Sequence, residues 1–575
     1  MFIKFHLPFS KFCFLAVLIP AALHFANAQD AAPQQSTPVP QKTIADYARA
    51  YRGDKPKATP TPVPAQAQRG KSLSELAAEQ RSKRTAEVKL SEKEIDELLK
   101  DVGEITDFAS SDTGFAEYGK VKHQIVSQED VKRHWSAALS DSAAAQRIER
   151  SEIVLKKFGY LPHDFTLKKF IVDNAAEGLG GFYDPKTKTM NLVNWIGVEE
   201  QRPIMAHELT HALQDQNFDL MSWQRKAIAR GRGASMRVDS DEAQESDARR
   251  AVIEGQAMVV FFDYLLKPYG RTLADTPSAM DFINARLTES YDNSLVVHNA
   301  PLLFKESALF PYREGLLFEL ELLKKGGAGL AFTEVFSHPP MDTHQILEPK
   351  AYFDGERVAP VVIPDISAIL GPEYEPYDTG TIGQLDVRVM SEQFGSENDM
   401  FTITPGWKGG SYVAVERAGG NTGNPTTADI ALLYVSRWKD AESAERFAEL
   451  YRKSLAKRLT VTDERQLDHI CAARECALSA TRVATNEGPV FIEIWPGHTV
   501  LVTHSLEDGI VARLRSRVLA SHSEGKAASA PELSQRIQGS PAFHAFRSEV
   551  ERQILTDLTQ QEGSSLIPLP LRPTD

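Results

Sequence analysis

One five-residue segment, His207-Glu208-Leu209-Thr210-His211, limits this chain more than any other. Two imidazoles four residues apart project from one face of a helix and can bind a single metal ion, with Glu208 beside them. The pattern demands a helix, and its neighbours comply: Met205, Ala206, Leu209, Ala212 and Leu213 form an apolar, proline-free stretch. A helix is expected over about 202–216, with Pro203 near its first turn, where the missing amide costs least. Just before it, GGFYDPKTKTMNLV (180–193) carries two short strand-like runs about an Asp184-Pro185 turn, a β-hairpin signal.

A catalytic zinc ion takes three protein ligands and keeps its fourth position for water, so one more ligand is needed. The longer metzincin signature requires Gly at 214 and His at 217; this chain has Gln214 and Asn217 there, which excludes that branch. The remaining common option is a carboxylate on a later helix. Glu254 lies in an apolar stretch of a helix expected over 241–266, where a lone carboxylate is costly unless paired or metal-bound. Gly255 beside it costs about 1 kcal/mol relative to Ala in a helix interior, so a close helix approach is expected there. Glu245, Asp247 and His298 are rivals for the third ligand. Asp247, on the same helical face as Glu254, and Asp215, one turn after His211, could instead accept the outer ring proton of a ligand imidazole.

An HExxH helix completed by a downstream Glu resembles the gluzincin zinc metallopeptidases. With GGFYDPKTKTMNLV, HELTHALQDQNFDL (207–220), IEGQA (253–257), FPYREG (310–315) and PPMDTHQILEP (339–349), the chain resembles a poorly characterised bacterial family of predicted exported metallopeptidases. The likeness spans about residues 140–355 and, more faintly, GWKGGSYVAVE (406–416). It implies one zinc ion per chain held by His207, His211 and Glu254. Glu208 would take a proton from water as general base and pass it to the leaving amine. Enzymes of this type often supply a Tyr or His from beyond the third ligand to stabilise the oxyanion, which makes Tyr312 and His344 candidates. The strand region 182–193 could pair with an extended substrate by edge addition. The expected partner is a protein or peptide substrate.

The rest of the chain supplies the setting. Residues 1–28 have the form of an export signal: Lys4 and Lys11, an apolar run from Phe12 to about Ala26, then Ala26-Asn27-Ala28 before Gln29. Cleavage after Ala28 is expected, because the run is short of the ~20 residues needed to span a bilayer and Pro20 interrupts it. Cys13 lacks the small residues of a lipidation site. Residues 29–88, rich in Pro, Ala and Gln, read as a disordered linker. The expected location is periplasmic or extracellular, with no stable membrane insertion after signal cleavage. Cys471 and Cys476 are expected to close a disulfide in that oxidising setting. The net charge of −13 argues against a nucleic-acid partner.

The fold class expected is α+β. A mainly helical, zincin-like domain with a short preceding hairpin occupies 89–370, with scaffold helices at 91–106 and 129–158 and further helices near 277–290 and 313–325. A separate α+β domain follows over 371–535, with a mainly antiparallel sheet, helices on one face and LDVRVMS (385–391) as its first period-two run. A helix and tail close the chain over 536–575. Two other classes of function explain fewer residues: a non-catalytic zinc module or envelope assembly factor, and a scaffold in which the motif helix is incidental. The intact Glu208 counts against both, since a site that only holds metal has no need of a carboxylate at the base position.

Overall fold

A computed structural model describes residues 89–523 apart from 132, 134–141, 175–179, 225–237, 277–282, 284–299, 420–424 and 473–474. The leader, the linker, the tail, His298 and all of the 277–290 helix except Ile283 lie outside the described residues. Among the described residues no helix is long and apolar enough to cross a membrane.

The first lobe begins with α1 (Glu92–Lys100) and α2 (Val102–Thr113). Ser91 caps α1 with a reciprocal Ser91–Glu94 box, which is why the helix starts there. Then come β1 (Lys122–Val126), α3 (Ser142–Phe158), α4 (Leu167–Asn174), β2 (Gly181–Asp184), β3 (Thr189–Val193), α5 (Val198–Phe218), α6 (Val238–Leu266) and α7 (Leu302–Ala328). The expected hairpin is β2–β3, antiparallel from Gly181↔Leu192 to Asp184↔Thr189. β1 adds to β3 in parallel, so β3 is the central strand and the sheet's edges belong to β1 and β2. β1 escapes a sequence reading because its residues are largely exposed and lack alternation.

α5 starts four residues before the expected point, after Gly197, so Pro203 falls in its second turn and the helix forgoes one hydrogen bond. Every residue from Pro203 to Asp215 is buried, which makes α5 the axis of the first core. α6 and α7 pack beside it. The close approach allowed by Gly255 is to α7, at Gly315, and not to α5.

The second lobe is built on a seven-stranded sheet of β4 (Tyr374–Thr381), β5 (Trp407–Arg417), β6 (Ile430–Trp438), β7 (Val461–Gln466), β10 (Ser479–Thr485), β11 (Gly488–Trp495) and β12 (Thr499–His504); a two-stranded ribbon, β8 (Cys471–Ala472) and β9 (Glu475–Cys476), lies apart from it. The sheet order is β4-β5-β6-β12-β11-β10-β7 and every neighbouring pair is antiparallel. The α+β class therefore holds. Two details differ from expectation. Along β6, Leu432 and Tyr434 face one core while Ala431, Leu433 and Val435 face another, so both sides are covered, one by the helix Ala441–Arg458 (α10) and the other by Asp508–Ser523 (α11).

The second difference concerns LDVRVMS, which is helical, within α9 (Gln384–Phe394) that follows the unexpected strand β4; α8 is the short helix Thr343–Leu347 before it. Asp386 accepts from the Gly383 amide at 2.7 Å and starts the helix. Leu385, Val387, Val389 and Met390 are all buried, because α9 is wedged between the lobes, and burial on several faces looks like alternation in sequence.

The domain boundary near 370 is also less clean than expected. Val154, Leu155 and Phe158 of α3, with Tyr160 and Leu161, belong to the core of the second lobe. Phe158 meets Tyr412 edge-on at 5.2 Å between ring centroids. Buried Lys157 fastens the same segment, donating to the Thr427 carbonyl (2.8 Å), Glu487 (2.9 Å) and Ser505 Oγ (2.8 Å). Cys471 and Cys476 form a disulfide across β8 and β9.

Candidate metal centre

α5 brings His207 and His211 to the face opposite Glu254 of α6, and all three are at most 2% exposed. His207 Nε2 and His211 Nε2 lie 3.0 Å apart, and each lies within hydrogen-bonding range of Glu254 Oε2, at 3.2 and 3.3 Å. The three ligand atoms lie within 4.8 Å of one another and form a buried group that could hold a metal ion. The dimensions fit: ligands at 2.0–2.1 Å from a tetrahedral centre are separated by roughly 3.3–3.4 Å. The donor set fits as well, because Glu254 Oε1 is buried without a hydrogen-bond partner among the described residues.

Electrostatics bind the group together. Burial on its own would lower the His211 pKa, but attraction to Glu254 and their hydrogen bond outweigh it and bring the imidazole to about 9. Burial would raise Glu254, yet the His211 charge and the hydrogen bonds from both histidines hold its carboxyl far below the ordinary range. A cation placed among these atoms would replace ring protons in the same role.

Glu208, next to His207, accepts the Tyr183 backbone amide of β2 at 2.8 Å. A free-edge amide of a short strand thus holds the carboxylate beside the ligands. Tyr312 of α7 is buried, and its ring lies 6.2 Å from that of His207.

Other expected residues sit elsewhere. Asp215 accepts from the Tyr183 hydroxyl (2.8 Å), Lys188 (2.5 Å) and the Leu220 amide (3.1 Å), and does not orient a ligand imidazole. Asp247 does not either: His207 Nδ1 has no hydrogen-bond partner among the described residues, and His211 Nδ1 meets Gln214 Oε1 at 2.8 Å. Glu245 is engaged by Arg249, at 2.8 Å from its Nε, and is outside the triad. His344 Nδ1 meets Gln384 Oε1 at 2.6 Å and its Nε2 lies 3.7 Å from Glu356; none of the described hydrogen bonds ties it to the triad. Gln384 belongs to the helix at the junction with the second lobe.

Sequence reasoning missed Gln214 and Gln256. Their only signal was spacing, since Gln214 falls one turn after His211 and Gln256 two residues after Glu254, and neither was read as polar support for a ligand.

Residues 373–503 match a family described as a domain of unknown function (DUF8575). The match covers the sheet of the second lobe and none of the triad. No curated protein and no solved structure matches the chain.

Proposed function

We propose that the protein is an exported zinc-dependent peptidase of the gluzincin type, acting on protein or peptide chains. The observation that carries the reading is the pairing of the His207–His211–Glu254 group with a carboxylate, Glu208, that is held beside it by a strand amide. Two imidazoles and one carboxylate form a three-ligand set of the kind used by catalytic zinc sites, whereas structural sites close the metal with four protein ligands. A purely metal-storing pocket gives no reason for Glu208.

When bound, zinc would supply Lewis acidity, polarising the scissile carbonyl and lowering the pKa of water toward ~7. The remaining work falls to the chain. Glu208 takes a proton from the attacking water at its carboxylate and later delivers it to the leaving amine. The Tyr183 amide keeps that carboxylate aimed. Tyr312, beside His207, donates its phenolic proton in a hydrogen bond to the developing oxyanion. The outer edge of β2 offers main-chain groups to an extended substrate, a recognition mode with little demand on side chains. The leader and the Cys471–Cys476 disulfide support an exported location.

The test measures zinc content and hydrolysis of quenched fluorescent peptides in one preparation, before and after chelation. About one zinc per chain, with hydrolysis lost on chelation and restored by zinc, is expected. Zinc without turnover across a broad peptide set favours a non-catalytic zinc module, and no metal uptake rejects the site.

A further inference from the structure

Behind His211 runs a chain of buried side-chain amides with a direction built into it. Gln256 Nε2 donates to the Ala331 carbonyl at 2.7 Å, within the π-helical turn Gly329–Glu334 that continues α7. A carboxamide has one donor nitrogen and one acceptor oxygen, so Gln256 must turn its oxygen to Gln214. Gln214 answers with Nε2, at 2.7 Å from Gln256 Oε1 and 3.1 Å from the Ile253 carbonyl. Its Oε1 is then left to face His211 Nδ1 at 2.8 Å, and that nitrogen must carry a proton. Both glutamines are fully buried, so no water can compensate if either amide is reversed and sets oxygen against oxygen.

From this geometry we propose that Gln214 and Gln256 are positioning residues that lock His211 with its proton on Nδ1, so that Nε2 presents its lone pair to the metal. The inference rests on the metal site proposed above. It identifies the outer support of one ligand as a neutral relay ending on backbone carbonyls. A ligand imidazole commonly leans on a carboxylate or carbonyl. Here an amide does the same without adding a third negative charge to a buried site that already holds Glu208 and Glu254. The support is one-sided, because His207 Nδ1 has no such partner among the described residues.

The experiment compares the full chain with Gln214→Met, Gln256→Met and the double variant. Zinc affinity is read by competition with a chromogenic chelator, and metal-free protein labelled with nitrogen-15 in histidine reports the ring N–H resonances. The relay predicts a solvent-protected His211 Nδ1–H in the unaltered protein and its loss in Gln214→Met. Zinc binding should weaken about 10- to 100-fold in Gln214→Met. It should weaken less in Gln256→Met, where the Ile253 carbonyl still holds Gln214, and the double variant should bind no worse than Gln214→Met. Additive losses, or a His211 Nδ1–H unchanged by Gln214→Met, would overturn the relay. If Gln214→Met does not fold, Gln214→Asn replaces it: the shorter amide cannot reach from His211 to Gln256, and the relay predicts the same loss of the Nδ1–H resonance and of zinc affinity. A chain that takes up no zinc sinks the metal site itself, and the ring resonances of the metal-free protein still decide the relay.

Discussion

Gly255 and Gly315 are in backbone contact where α6 crosses α7: a β-carbon on Gly255 would overlap the carbonyl group of Gly315, and one on Gly315 would overlap the Ala251 carbonyl. The crossing lies one residue after Glu254 and three after Tyr312, so it sets the spacing of the two helices that carry them.

Gly255→Ala should therefore destabilise the protein although Ala is the better helix former by about 1 kcal/mol. The overlap is with backbone, which cannot turn aside, and a net loss of about 1–3 kcal/mol in urea unfolding is expected, together with weaker zinc binding. A neutral or stabilising effect would mean that the helices separate without cost.

The same helix α7 is gripped by the second lobe through charge. Arg388 of α9 lies 2.7 Å from Glu314 and 3.5 Å from Glu306, and Arg313 bonds Glu306 at 2.7 Å. Arg388 and Arg313 outweigh the effect of burial and hold the Glu314 carboxyl at about 2. Arg388→Met leaves buried carboxylates short of a partner. A loss of about 2–4 kcal/mol is expected, below that of a fully buried pair because the Arg388 side chain is 20% exposed. Denaturant titration of the two proteins side by side measures it.

A third prediction concerns pH and lies away from the metal group. Burial, then the charge of Asp112, raises Asp263 to about 7, and burial raises Asp112 to about 6. These folded values exceed the ordinary 3.8, so the contribution to stability is full below about pH 4 and is lost as pH rises through 6–7. Asp263→Asn keeps an acceptor for the Leu273 amide, which Asp263 Oδ1 meets at 2.6 Å. The variant should be more stable than the parent by about 1–3 kcal/mol at pH 8 and near parity at pH 4. Equal pH slopes for the two proteins would contradict the assignment.

How much of this was legible in the chain differs by residue. His207, Glu208 and His211 were readable because their geometry is local to one helix turn. Glu254 was readable by cost, since an apolar helix does not keep a carboxylate without a partner, and its meeting with the histidines is now seen directly. Gln214 was not, because its orientation is dictated by Gln256 and by Ala331, over a hundred residues away in sequence. Asp215 was misread for the reverse reason: its spacing suits His211, but β2 and the turn after it bring Tyr183 and Lys188 to it. Long-range packing likewise hid the place of α3 in the second core, and burial between the lobes disguised α9 as a strand.

In the proposed reaction Glu208 moves a proton during peptide hydrolysis. The most direct test of that step is mass spectrometry of new chain termini in an unfolded protein mixture, comparing the zinc-loaded protein with Glu208→Gln. Termini made only by the unaltered protein and abolished by chelation are expected, with zinc retained in both. Equal cleavage by Glu208→Gln, or none by either protein while zinc is bound, would contradict it.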